Sequence, residues 1–125
     1  MKRGVLFVHS NFPAQFRDLA SALVARGVPC AAIGARSAPG VPGVRLATWH
    51  NAKGTTPGIF PLATRAEADL IRGRAAVDAA LALKAEGFDP ELIIGHPGWG
   101  ETVFLREVFP DARQIMFAEF YYQGR

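Results

Sequence analysis

Residues 4–33 read GVLFVHSNFPAQFRDLASALVARGVPCAAI, and their pattern decides the fold. Gly4 to Val8 is an unbroken apolar run, the signature of a strand buried on both faces of a parallel sheet. Ser10, Asn11 and Pro13 make a turn. Phe16, Leu19, Ala20, Leu23 and Val24 then recur at i, i+3, i+4, i+7 and i+8, which puts one apolar stripe on a helix. Gly27 stops that helix, and Val28 to Ile33 is a second apolar run. Strand, helix and strand at this spacing form a βαβ unit with a right-handed crossover.

Working outward, a Gly/Pro loop leads to a third apolar run from Val44 to Trp49. His50 to Leu62 is punctuated by Gly and Pro and has no periodicity, so it reads as an exposed connection. Thr64 with Glu67 three residues on has the form of a capping box. It opens a long Ala/Leu/Arg helix to Glu86 that Gly87 ends. Leu92 to Gly95 is a fourth buried strand, Thr102 to Phe109 a short helix stopped by Pro110, and Gln114 to Phe120 a fifth strand. No internal repeat or low-complexity tract interrupts this alternation. The expected fold class is α/β, a Rossmann-like, doubly wound, mostly parallel sheet of about five strands in three αβα layers. Residues 1–125 form a single domain, with strand order 3-2-1-4-5 by analogy with Rossmann halves. Ligands of such sheets sit at the carboxyl ends of the strands near the switch point, which selects residues 9–15 and 96–102.

Half of the 125 residues are hydrophobic, enough for a packed core. The net charge of +3 is spread along the chain, without the basic stripe or arm that nucleic-acid binding needs, so no nucleic-acid partner is expected. Cys30 is the single cysteine, which excludes an intrachain disulfide, and its apolar neighbours make it a small buried hydrophobe. Lys2 and Arg3 precede an apolar stretch that breaks at His9, short of a signal-peptide core. No window approaches the roughly 18 apolar residues of a membrane span. A cytoplasmic domain is expected.

The segment Gly95-His96-Pro97-Gly98-Trp99-Gly100-Glu101-Thr102 has the outline of a phosphate-binding P-loop, but Glu101 stands where that motif needs lysine. Pro97 also removes a backbone donor. No G-x-G-x-x-G follows the first strand, so a dinucleotide fingerprint is absent. What remains is a tight glycine loop expected to lead into a helix N-terminus, where backbone N–H groups favour an anion or a sugar hydroxyl. Glu101 partly opposes an anion and favours the hydroxyl. The plain alternative is a glycine turn with Trp99 as a core plug and Glu101 as a favourable first-turn charge. Convergence of Gly, His, Trp and Glu at the crevice end of a strand favours the functional reading.

His9 closes the first strand and should face the same crevice, although a lone strand-end histidine is more often structural. Asn11 and Gln15 serve equally well to brace the first helix. His50 reads as a solvated loop residue. The three histidines are too dispersed for a ligand spacing, so no metal is expected. Glu119-Phe120-Tyr121-Tyr122 carries polar tips on aromatic bodies, suited to a carbohydrate or partner surface. The chain ends at Arg125 directly after a buried strand, where a doubly wound domain usually adds a helix, so a truncated domain is expected.

Three blocks resemble the N-terminal domains of bacterial family-4 glycosyltransferases: His9 to Arg17, Phe88 to Thr102, and Val108-Phe109-Pro110-Asp111 with Glu119 to Tyr122. The likeness is weakest between Ala35 and Leu83. It implies a GT-B architecture of two domains, this one on the acceptor side and a C-terminal partner domain holding most of a nucleotide-diphosphate sugar donor. In similar enzymes the loop after the first strand approaches the donor phosphates, which falls here on Asn11, Pro13 and Ala14. A histidine after the fourth strand contacts the donor sugar, which falls on His96. Many relatives carry a glycine pair in the first loop where this chain has Asn11-Phe12-Pro13-Ala14. His9, Gly98, Trp99, Gly100, Glu119 and Tyr121 complete the expected substrate-binding set, and His96 or Glu101 is the expected catalytic residue, as acceptor-side base. The enzymes it resembles work without a metal, using helix N-termini and basic side chains on the leaving group. The acceptor would be a sugar or glycolipid hydroxyl; peripheral membrane contact and a homodimer through the exposed C-terminal surface are further expectations.

Two other readings compete. A sugar-nucleotide epimerase shares the two-domain cleft. The other is a stand-alone flavodoxin-like or receiver-like binding module, of which a receiver would need acidic residues near the end of the first strand and an acceptor aspartate after the third. His9 and Trp49 stand there instead.

Overall fold

The computed structural model describes residues 3–51 and 53–118. Five parallel strands, β1 (Gly4–Val8), β2 (Cys30–Ala35), β3 (Arg45–Trp49), β4 (Pro90–Gly95) and β5 (Arg113–Met116), form one sheet in the order β3-β2-β1-β4-β5. Among the described residues the α-helices are α1 (Arg17–Ala25), α2 (Thr64–Ala85) and α3 (Leu105–Val108). The expected class and strand order are those observed.

The central strand β1 is buried along all of its five residues, because it pairs with β2 on one side and β4 on the other and is covered on both faces. One face packs Val5, Phe7 and Ile94 against Phe12, Phe16 and Ala20 on the α1 side. The other packs Leu6, Val8, Ile33 and Ile93 against Ala76, Ala80 and Leu83 of α2 and Leu105 and Val108 of α3. The edge strands are less covered: β5 is exposed at alternate residues, Arg113 and Ile115, and β3 at Arg45 and Thr48. Burying one aromatic of such a core, Phe7 or Phe12, both fully enclosed, contributes about 2–3 kcal/mol. Cys30 lies in this core, and burial pushes its thiol above the ordinary value.

Four local expectations are corrected. Strand β2 begins at Cys30 rather than Val28, because the Val28 N–H closes the end of α1 on the Leu23 carbonyl. Thr64 is the first helical residue of α2 and makes no capping bond; Glu67 instead accepts from the Thr56 N–H and hydroxyl, tying the preceding connection to the helix. Helix α3 has four residues rather than the eight expected from Thr102 to Phe109, since residues 101–104 are spent in turns. Strand β5 is found over Arg113–Met116, so Phe117 and Ala118 of the expected strand fall outside it, and the expected end at Glu119 and Phe120 lies outside the described residues.

Candidate functional site

The parallel register aligns Val8 of β1 with Gly95 of β4, so the next residues, His9 and His96, leave neighbouring strands side by side at their carboxyl ends. Each backbone is still held by the sheet: His9 N–H donates to Ile33 and His96 N–H to Val8. Their ring centroids lie 5.3 Å apart, edge to face. Trp99 stacks on His96 at 4.3 Å with planes 21° apart and turns an edge to His9 at 5.6 Å. Both histidines are almost wholly enclosed, and Trp99 is half-buried. The convergence of His9, His96 and Trp99 was legible from their strand ends.

The two imidazoles are held in the same way. His9 Nδ1 accepts the Asn11 N–H at 2.9 Å, and His96 Nδ1 accepts the Gly98 N–H at 3.0 Å. A neutral ring whose Nδ1 is an acceptor carries its proton on Nε2. Gly98 is required by this geometry, since a Cβ there would stand 2.7 Å from the His96 ring.

The loop after β1 is compact. Phe12 N–H returns to the His9 carbonyl, Gly40 N–H reaches the Phe12 carbonyl, and Ala35 N–H reaches Ser10. The Phe12–Pro13 peptide is cis. Pro13 is buried under the loop, whereas Asn11 and Ala14 face outward. Ala14 has φ 43°, a left-handed conformation uncommon outside glycine. Asn11 joins the site through its backbone N–H.

The glycine loop after β4 departs from expectation. Pro97–Trp99 is a 3-10 turn, Gly100 is left-handed at φ 94°, and α3 starts only at Leu105, so the loop does not lead directly into a helix N-terminus. Its outward carbonyls are taken up by α2: Arg65 donates to Gly98 at 3.1 Å and Arg72 to Trp99 at 2.6 Å. Helix and loop touch through glycine, because a Cβ on Gly73 would stand 2.7 Å from the Gly100 carbonyl and one on Gly100 would collide with the Asp69 carbonyl.

Glu101 is neither a first-turn surface charge nor exposed: it is 1% accessible. Its Oε2 accepts from Ser10 Oγ at 2.6 Å and from Trp49 Nε1 at 3.3 Å. The Arg72 guanidinium lies 5.7 Å over the Trp49 ring. Ser10, Trp49, Arg65 and Arg72 belong to the site and were not singled out from sequence. Arg65, Asp69 and Arg72 share one face of α2 by their i, i+4, i+7 spacing, a signal that could have suggested a common target.

His50 is exposed, as expected, beside a groove of about 490 Å³ bordered by Ala35, Arg36, Ser37, Trp49 and Asn51. Glu119 and Tyr121 lie outside the described residues. Among the described residues no three His, Cys, Asp or Glu side chains converge on a point, and no helix is long and apolar enough to cross a membrane.

A family model described as glycosyl transferase family 4 group matches residues 26–125. The match includes the loop from His96 to Glu101 and begins after the loop from His9 to Gln15. No curated protein and no solved structure matches the chain.

Proposed function

The chain belongs to the glycosyl transferase family 4 group, and on that premise we propose that it is the acceptor-side, Rossmann-like half of a two-domain transferase. The reaction moves a sugar from a nucleotide-diphosphate donor to an acceptor hydroxyl, with a second domain of the same polypeptide supplying most donor contacts. The observation that carries this reading is the packing of His9, His96 and Trp99 at the carboxyl ends of two adjacent central strands, where ligands of open α/β sheets bind.

In transfer, the bond from the sugar carbon to the leaving phosphate oxygen breaks as the bond to the acceptor oxygen forms. Charge builds on the leaving diphosphate, whose freed phosphate oxygen takes up the proton that the acceptor hydroxyl gives up. With Nδ1 committed to the Gly98 N–H, His96 is poorly suited to abstract a proton through that nitrogen. This favours His96 as a donor that stabilises developing charge. Glu101, enclosed between Ser10 and Trp49, is badly placed to meet an acceptor. Trp99 adds an aromatic face suited to the apolar face of a pyranose ring. The reading requires no metal.

The test is His96→Ala in the full-length enzyme, with turnover and melting temperature measured on one preparation. Loss of a donor that acts in the transition state costs about 2–4 kcal/mol, or roughly two to three orders of magnitude in turnover, with the fold kept. Near-normal turnover per folded molecule would remove His96 from the reaction. Formation of an isomerised sugar nucleotide in place of a transferred sugar would replace the transferase with an epimerase.

A further inference from the structure

We propose that Glu101 is a positioning residue, whose buried carboxyl group sets the distance and orientation of His9 against the His96–Trp99 stack; the proposal rests on the transferase reading for what that geometry is used for. Glu101 lies two residues after Trp99, Ser10 is next to His9, and Trp49 ends β3. One carboxyl oxygen therefore ties together the chain leaving β1, the end of β3 and the loop leaving β4, at 2.6 Å to Ser10 and 3.3 Å to Trp49.

The tie closes into a circuit. Trp49 is held at its N–H by Glu101 and on its ring face by Arg72 at 5.7 Å. Arg72 also donates to the Trp99 carbonyl at 2.6 Å. Trp99 in turn stacks on His96 and turns its edge to His9. A buried polar network of this kind is costly when half satisfied, and when complete it selects a single arrangement. Here the arrangement selected is the relative placement of the two loops that carry the imidazoles. An apolar side chain of the same volume would fill the space without specifying that placement.

The experiment labels tryptophan and histidine with ¹⁵N in the protein and compares Glu101→Gln with Glu101→Leu. Gln keeps the volume and an acceptor oxygen; Leu keeps most of the volume and removes the acceptor. Glu101→Gln should retain the wild-type Trp99 indole and the His9 and His96 ring signals. Glu101→Leu should displace all of these together with the Trp49 indole. With a nucleotide-sugar donor, Glu101→Leu should lower kcat by about tenfold to a hundredfold with little change in the donor KM, the size of effect that a misplaced reacting geometry produces. Glu101→Gln should restore most of it.

Three results would overturn the proposal. In the first, Glu101→Leu moves the Trp49 signal alone. In the second, Glu101→Gln is as damaged as Glu101→Leu, which would make the carboxylate itself the working group. If Glu101→Leu does not fold, Ser10→Ala decides: displaced His9 and Trp99 signals support the proposal, and unmoved ones give the third overturning result. Should the signals behave as expected while the wild-type enzyme transfers no sugar, the transferase reading falls and the positioning geometry stands.

Discussion

The loop after β4 and the connection after β3 are both punctuated by glycine and proline, yet they are held in opposite ways. In the first, residues 96–104, helix α2 binds the Gly98 and Trp99 carbonyls, Gly100 abuts the Asp69 carbonyl, and Glu101 reaches two other strand ends. In the second, the described residues of 50–63 are joined to the body by the tie from Thr56 to Glu67, and they leave Phe60 67% and Leu62 84% exposed. The contrast teaches that glycine and proline mark where a chain turns. Whether the turn is rigid depends on side chains that arrive from elsewhere in the fold.

The largest effect expected from breaking that contrast is at Gly100. An alanine there must hold φ near 94° and push its Cβ into the Asp69 carbonyl. Gly100→Ala should cost about 3 kcal/mol from backbone strain and overpacking together, read as a lower denaturant midpoint with an unchanged slope. A loss below about 1 kcal/mol would mean that the loop yields, and the claim of a rigid glycine loop would be wrong.

A smaller, local effect concerns the tie in the other region. The Thr56 N–H and hydroxyl favour the ionised form of Glu67 and hold its carboxyl group below its ordinary 4.5. A depressed carboxyl stabilises above its unfolded value, so the tie should be complete at neutral pH and be lost as pH falls through the lowered folded value. The Thr56 amide shift followed against pH should have its midpoint below 4.5. A midpoint at or above that value would show the tie absent in solution.

The smallest effect belongs to Leu62, which contributes little burial to lose. Leu62→Ser should change unfolding stability by less than about 0.5 kcal/mol. A loss above about 2 kcal/mol, the size expected of a buried leucine, would show that the connection packs on the body as the glycine loop does.

The strands and helices were readable because each is a local pattern. The apolar runs of β1 and β4 announce burial on both faces. The spacing from Phe16 to Val24 announces a helix with one apolar stripe, of which Phe16 and Ala20 are buried, Leu23 and Val24 half-buried, and Leu19 exposed. Errors came where a local signal had a distant competitor. Thr64 and Glu67 match a capping box, but the Glu67 carboxyl group is claimed by Thr56. Thr102 looks like a helix start, but its neighbour Glu101 is drawn inward and the chain turns until Leu105. In the site, His9 and His96 could be paired because the strand order makes β1 and β4 neighbours.

The α/β class, the order of elements and the two loops that form the crevice can be read from the residues in order, since these follow from periodicities of a few residues and from the topological rules of parallel sheets. Only the assembled fold reveals the enclosure of Glu101 between Ser10 and Trp49, the Nδ1 bonds of His9 and His96, and the clamp from α2. Ser10 is 91 positions from Glu101 and Trp49 is 52. No local period encodes contacts across such separations. They exist because the sheet brings the ends of β1, β3 and β4 onto one rim, where a buried carboxyl group must find hydrogen-bond donors from whichever strands end beside it.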